Sequence, residues 1–175
     1  MIVAQQKRKE NIVEYLLYLW QVEDLIRANH FDLEQIQHTL VDRYEQPEEV
    51  KQQILQWYGE LIEMMRREDI MESGHLQINN NVIISLTDLH CSLLDDPQET
   101  VYEALYYQTL PFIVQLRSKA GGVAMSEIET CFTALYGYLL LRLQQKEIHP
   151  ETLNAVKQIN TFLNFLAEKY KENDV

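Results

Sequence analysis

Residues Ile12 to Ile26, IVEYLLYLWQVEDLI, constrain this chain more than any other stretch. From Tyr15 to Trp20 the residues are all apolar or aromatic. A helix turns about 100° per residue, so spacing alone assigns faces. Ile12, Tyr15, Leu16, Leu19, Val22 and Ile26 share one broad face. Val13, Leu17, Tyr18 and Leu25 add apolar surface elsewhere, which leaves little of the circumference suited to water. Such a helix belongs at the centre of a bundle. Glu23 interrupts the face, one turn after Leu19. An unpaired ionised carboxylate is costly in such a place, so Glu23 should be buried and paired, or protonated. Arg27, one turn on, is the local partner to expect. Arg142 and His90, each near the apolar face of a later helix, are the long-range ones. Glu23, Arg27, His90 and Arg142 are therefore the candidate binding residues. Glu23 is first a structural buried pair and second a ligand-binding or catalytic carboxylate.

The rest of the chain reads as helices joined by short connections. Only 5 Gly and 4 Pro occur in 175 residues, so elements should be long. The first helix is expected from Val3 to Asn29. Asp32 caps a second, short one that ends near Arg43. Pro47, followed by Glu48 and Glu49, opens a third, which stops around Ser73-Gly74. His75 to Ile78 is a connector, where Leu76 and Ile78 alternate with polar residues and leave room for a short extended piece. Asn79, Asn80 and Asn81 offer caps for a fourth helix, Val82 to Asp95. Pro97 opens a fifth, with Pro111 inside it as a kink or break, and Ala120-Gly121-Gly122 follow as a turn. Ser126 and Glu129 make a capping box for a sixth. There Ala134 and Gly137 suggest close approach of another helix. Pro150 opens the last, with Ala155, Ile159, Phe162, Leu163, Leu166 and Tyr170 on one side and Asn160, Asn164 and Glu168 on the other. One domain spans residues 1–175, since a chain of this length buries roughly 70% of its unfolded surface without a disulfide or metal.

Charge excludes some classes of partner. Twenty-seven acidic and 15 basic residues give a net charge of −12, which opposes nucleic acid and anionic membrane surfaces. No apolar run approaches the ~18 residues of a membrane span. Cys91 and Cys131 lack metal-ligand spacing and read as small buried hydrophobes. These features point to a cytoplasmic setting.

Catalytic motifs are absent: HExxH, GxSxG and SxxK do not occur. Glu72 and His75 fit the Glu-x-x-His spacing of di-iron bundles once, with Gly74 between them and no second copy. The Gly121-Gly122 pair lacks the lysine and hydroxyl of a phosphate loop. No metal or cofactor is expected. Tyrosines cluster at Tyr15 and Tyr18, at Tyr102, Tyr106 and Tyr107, and at Tyr136 and Tyr138, where they suit core edges or a self-association surface.

The segments AQQKRKENIVEYLLYLWQVEDLIRAN and GHLQINNNVIISLTDLH resemble a family of uncharacterised bacterial proteins described as a domain of unknown function, over most of the chain. The resemblance implies a stand-alone helical protein of about this length, and no activity, cofactor or partner. The expectation is an all-α fold: a compact bundle of six or seven helices with the N-terminal helix central. The expected function is that of a non-enzymatic cytoplasmic helical binding protein that self-associates as a homodimer, away from nucleic acid and membrane. The alternative is a small-molecule-binding or enzymatic site in the bundle around Glu23.

Overall fold

The computed structural model describes residues 2–119 and 125–173. Among these the chain is all-helical, with no strand. The helices are α1 (Ile2–Glu10), α2 (Ile12–Ala28), α3 (Leu33–Thr39), α4 (Glu48–Arg67), α5 (Gln77–Asp95), α6 (Thr100–Lys119), α7 (Glu127–Leu143) and α8 (Pro150–Asn173), with a short 3-10 helix at Val41–Arg43.

Eight helices appear among the described residues, not six or seven, because the first expected helix divides at Asn11. Asn11 is extended, and its side chain accepts from Val13 N and Glu14 N as the cap of α2. A short amide competes with the backbone for its own hydrogen bonds, which makes it a natural start and a poor interior residue. Asn11 Nδ2 also donates to Asn164 Oδ1 on α8 at 2.8 Å, so Asn164 is not purely solvent-facing. Asp32 and Ser126 cap α3 and α7, as their positions predict.

Two apolar clusters share α2. Ile12, Val13, Leu16 and Trp20 pack with α5, α6, α7 and α8, around Leu86, Tyr102, Ile113, Phe132, Phe162 and Leu163. Val22 and Ile26 pack with α3 and α4, around Ile36, Ile54, Tyr58, Leu61, Ile62 and Met65. Each fully buried Leu, Ile or Phe contributes about 1.5–3 kcal/mol. The second cluster is closed by Leu76, in the connection between α4 and α5.

Several boundaries differ from expectation for local reasons. α4 ends at Arg67 and not at Gly74, because Asp69 takes the left-handed conformation (φ 56°) and Ile70 N–H donates back to Met65 O. His30 and Gln145 end α2 and α7 in the same way. α5 starts at Gln77, so Asn79, Asn80 and Asn81 lie inside the helix and do not cap it, and the extended backbone before it is limited to Leu76 and forms no strand. α6 runs through Pro111 as one helix. The Ala120–Gly122 turn falls outside the described residues. Gly137 meets no close neighbour, since a Cβ built there would have nothing within 4 Å. Cys131 is buried as expected, but Cys91 is exposed.

Candidate functional site

Glu23 sits on α2 where one apolar cluster gives way to the other, and its side chain is 1% exposed. Three donors hold it. His75 Nδ1 donates to Oε2 at 2.6 Å, while Leu76 N–H at 3.0 Å and Asn79 Nδ2 at 2.6 Å donate to Oε1. An ionised carboxylate only accepts, which fixes the proton on Nδ1 of His75. The His75 ring lies flat on Trp20, with centroids 3.9 Å apart and planes 9° apart. Trp20 in turn meets Tyr136 edge-on.

These contacts explain how α5 starts. Leu76 caps the helix with no side-chain hydrogen bond of its own. The first N–H groups of a helix need acceptors, and the helix dipole favours negative charge there. Carboxylates from elsewhere supply both: Glu23 on Leu76 N, and Glu68 on Gln77 N at 2.6 Å.

Arg27 does not pair with Glu23. Its guanidinium donates to Asp24 Oδ1 at 2.9 Å and to the carbonyls of Ile70 and Gly74. Asp24 is also held by Tyr136 Oη at 2.6 Å. Burial, reinforced by the bond to Asp24, pushes the Tyr136 hydroxyl well above its ordinary pKa. So Glu23 and Arg27, one turn apart, both grip the segment that joins α4 to α5. The anion takes its donors and the cation takes its carbonyls. Local spacing suggested an i,i+4 pair; a turn of irregular backbone offers each charge better partners.

His90 does not reach Glu23 either. It is buried near the other end of α5, with Nδ1 2.7 Å from Tyr102 Oη and Nε2 3.4 Å from Glu127 Oε2. Glu127 accepts from Nε2–H, so in the neutral ring Nδ1 accepts from the Tyr102 hydroxyl. The rings of Tyr102, Tyr106 and Phe162 surround the imidazole. Burial lowers the His90 pKa, and Glu127 opposes that shift. Burial, with help from a hydrogen bond to Glu127, raises the Tyr106 hydroxyl to about 12. Arg117 lies 3.7 Å from Glu127 and donates to the Met125 carbonyl.

Arg142, the other long-range candidate, is exposed on α7, with its guanidinium over the Tyr138 ring at 5.9 Å. A long side chain at a helix end satisfies its charge in water and needs no buried partner. The four candidates therefore do not converge. Sequence reasoning weighed His75 only beside Glu72 and missed it as the partner of Glu23, because it stands in a connector where helical periodicity carries no information. Asn79 was legible. It continues the buried stripe of α5, Ile83, Leu86, His90 and Leu93, back toward the N-terminus.

Chemically the Glu23 cluster is a closed structural clasp. Both carboxylate oxygens are engaged by the chain itself, leaving none facing a substrate. Trp20 Nε1, Arg27 Nε and Asn79 Oδ1 are buried without hydrogen-bond partners, and all three belong to this cluster. Among the described residues no group of three or more His, Cys, Asp or Glu is placed to hold a metal ion, and no helix is long and apolar enough to cross a membrane.

Comparison with curated proteins and with solved structures found no match. One family model covers residues 1–175, and the chain accordingly belongs to the family described as a domain of unknown function (DUF4924).

Proposed function

We propose that this chain is a non-enzymatic helical interaction protein that assembles with a second copy of itself, working in the cytoplasm with α2 as the centre of its bundle. The carrying observation is the outer face of α6. Val101, Tyr107 and Val114 are 57–60% exposed, and Ala104 and Pro111 are exposed on the same stripe. Residues 104–116 contain no charged side chain. Copies that each carry −12 repel one another, so contact is cheapest where charge is absent. A two-fold contact sets the same patch of both copies together, and an uncharged stripe is self-complementary in that arrangement. A helix of 20 residues spans about 30 Å. That length, with flanking residues of α5 and α8, suits an interface of roughly 800 Å² per partner.

The rival reading, a small-molecule or enzymatic site at Glu23, calls for a carboxylate oxygen turned toward a cavity. Glu23 is 1% exposed and carries three internal donors, which supports a structural role instead.

Light scattering at micromolar concentration tests the proposal. The parent should run at twice the 20.8 kDa chain mass. Tyr107→Glu combined with Val114→Glu should run at the single-chain mass while keeping its helical circular dichroism. A parent that runs as a monomer at every concentration refutes the proposal.

A further inference from the structure

A second apolar surface lies away from the outer face of α6. Leu17 of α2, Leu135, Tyr138 and Leu139 of α7, and Leu153 and Val156 of α8 line an open groove. Leu143, one turn beyond Leu139, continues it and is exposed. Of the residues that line it, one is charged, and it is a cation. Lys157 lines the groove, and Arg142 lies over the Tyr138 ring. Neither makes an ion pair among the described residues.

That sign runs against the rest of the molecule. Residues 1–96 hold 18 acidic and 8 basic side chains, whereas residues 97–175 hold 9 and 7. Residues 130–146 and 152–167, which form most of α7 and α8, contain no Asp or Glu at all. The α7 and α8 walls of the groove thus carry no acid along these stretches, and Lys157 and Arg142 stand at its edge without an ion-pair partner among the described residues. Apolar grooves between helices receive amphipathic helices through residues at i, i+3, i+4 and i+7. Charge at the rim then selects the partner and speeds its approach.

We infer that this groove docks an amphipathic helix of another protein, one whose apolar face is flanked by Asp and Glu. Apolar contact with Leu139, Val156 and Leu153 holds the helix, and Lys157 with Arg142 reads its acidic edge. A second copy docking groove to groove would set Lys157 and Arg142 against their own equivalents, so the occupant is a different chain. The inference rests on the reading of this protein as an interaction module, but not on the α6 contact.

Fluorescence anisotropy with designed peptides tests it. One labelled helical peptide of about 14 residues, roughly four turns, carries Leu at i, i+3, i+4, i+7 and i+11 with Glu at its flanks. A second has the same leucines with Lys at its flanks. The full-length parent should bind the acidic peptide at least roughly tenfold more tightly than the basic one, a rim-charge effect. The double variant Lys157→Glu with Arg142→Glu, both surface positions, should reverse the preference. Leu139→Asp should weaken both peptides, with the circular dichroism melt confirming a folded protein. Binding of neither peptide, or equal binding of both, overturns the inference. Displacement of the acidic peptide as the protein is concentrated assigns the groove to a second copy and overturns it too. The Tyr107→Glu, Val114→Glu variant should keep its peptide affinity whatever its mass, which separates this result from the α6 contact.

Discussion

Two of the carboxylate–histidine pairs among the described residues lie toward opposite ends of α5, and they are built in opposite senses. At the start of the helix the glutamate is buried and the histidine stands at the rim: Glu23 is 1% exposed, His75 29%, and the atoms are 2.6 Å apart. Farther along, the histidine is buried and the glutamate stands at the rim: His90 is 5% exposed, Glu127 25%, and the atoms are 3.4 Å apart. Whichever member is buried determines what the pair does. A buried carboxylate must gather donors, so Glu23 draws a histidine, a backbone amide and an asparagine into one cluster and fixes the chain path there. A buried imidazole can remain uncharged, so His90 needs only a hydroxyl to donate to one nitrogen and an acceptor for the other. The first pair ties segments together; the second fills a space among aromatic rings.

This contrast breaks most sharply at Glu23. Glu23→Gln leaves the donors of His75, Leu76 and Asn79 imperfectly met and should cost about 3–5 kcal/mol, seen in urea titrations. A variant within about 0.5 kcal/mol of the parent would mean the carboxylate holds nothing. If Glu23→Leu is more stable than the parent, burial of the charge outweighs its pairing. His75→Ala removes one donor and the stack on Trp20 but leaves the other two donors, and should cost about 1–3 kcal/mol. A loss equal to that of Glu23→Gln would make the pair, and not the cluster, the unit of stability.

The second pair should respond more weakly at neutral pH and more strongly to acid. Glu127→Gln at pH 7.5 should cost less than about 1 kcal/mol, because the carboxylate is partly solvated. Burial holds the folded-state pKa of His90 below its unfolded value. Below about pH 6.5 the unfolded chain therefore binds more protons at this site, and stability falls as pH falls. Glu127 partly offsets that shift, so its removal should steepen the acid loss as pH falls below about 6.5. Removing the site itself with His90→Gln should flatten it. Melts of all three proteins across that range decide the matter. A control that adds no contact to either pair is Gly137→Ala. With open space at that Cβ, it should stabilise α7 by about 0.5–1 kcal/mol.

The physics of the two pairs also explains how much of them could be read from sequence. Helical spacing put Glu23 on a buried face and placed most helices, because a period of 3.6 residues is local information. The partners of Glu23 are not local. His75 lies 52 residues away in a segment without periodicity, held there by contacts that exist only once α2, α4 and α5 have met. Arg27 was the reasonable local choice, and it was diverted to the carbonyls of Ile70 and Gly74 by the same irregular segment. His90 was recognised as lying near an apolar stripe, but Tyr102 and Glu127 reach it from two other helices. The break at Asn11 was the clearest lapse of local reading, since a cap residue ahead of Ile12 is itself a sequence signal.

The sharing of α2 between two apolar clusters has a kinetic meaning. The α3–α4 region is anchored through the second half of α2 and the clasped segment after α4, whereas α5 to α8 close on one another around its first half. Cooperative units of this kind open separately when their contacts are separable. Native-state hydrogen exchange should therefore find the amides of α3 and α4 opening together as one block, while those of α7 and α8 stay closed until the whole chain unfolds. Loosening the clasp at Glu23 should lower the opening energy of that block first, so one buried carboxylate sets the boundary between partial and complete unfolding.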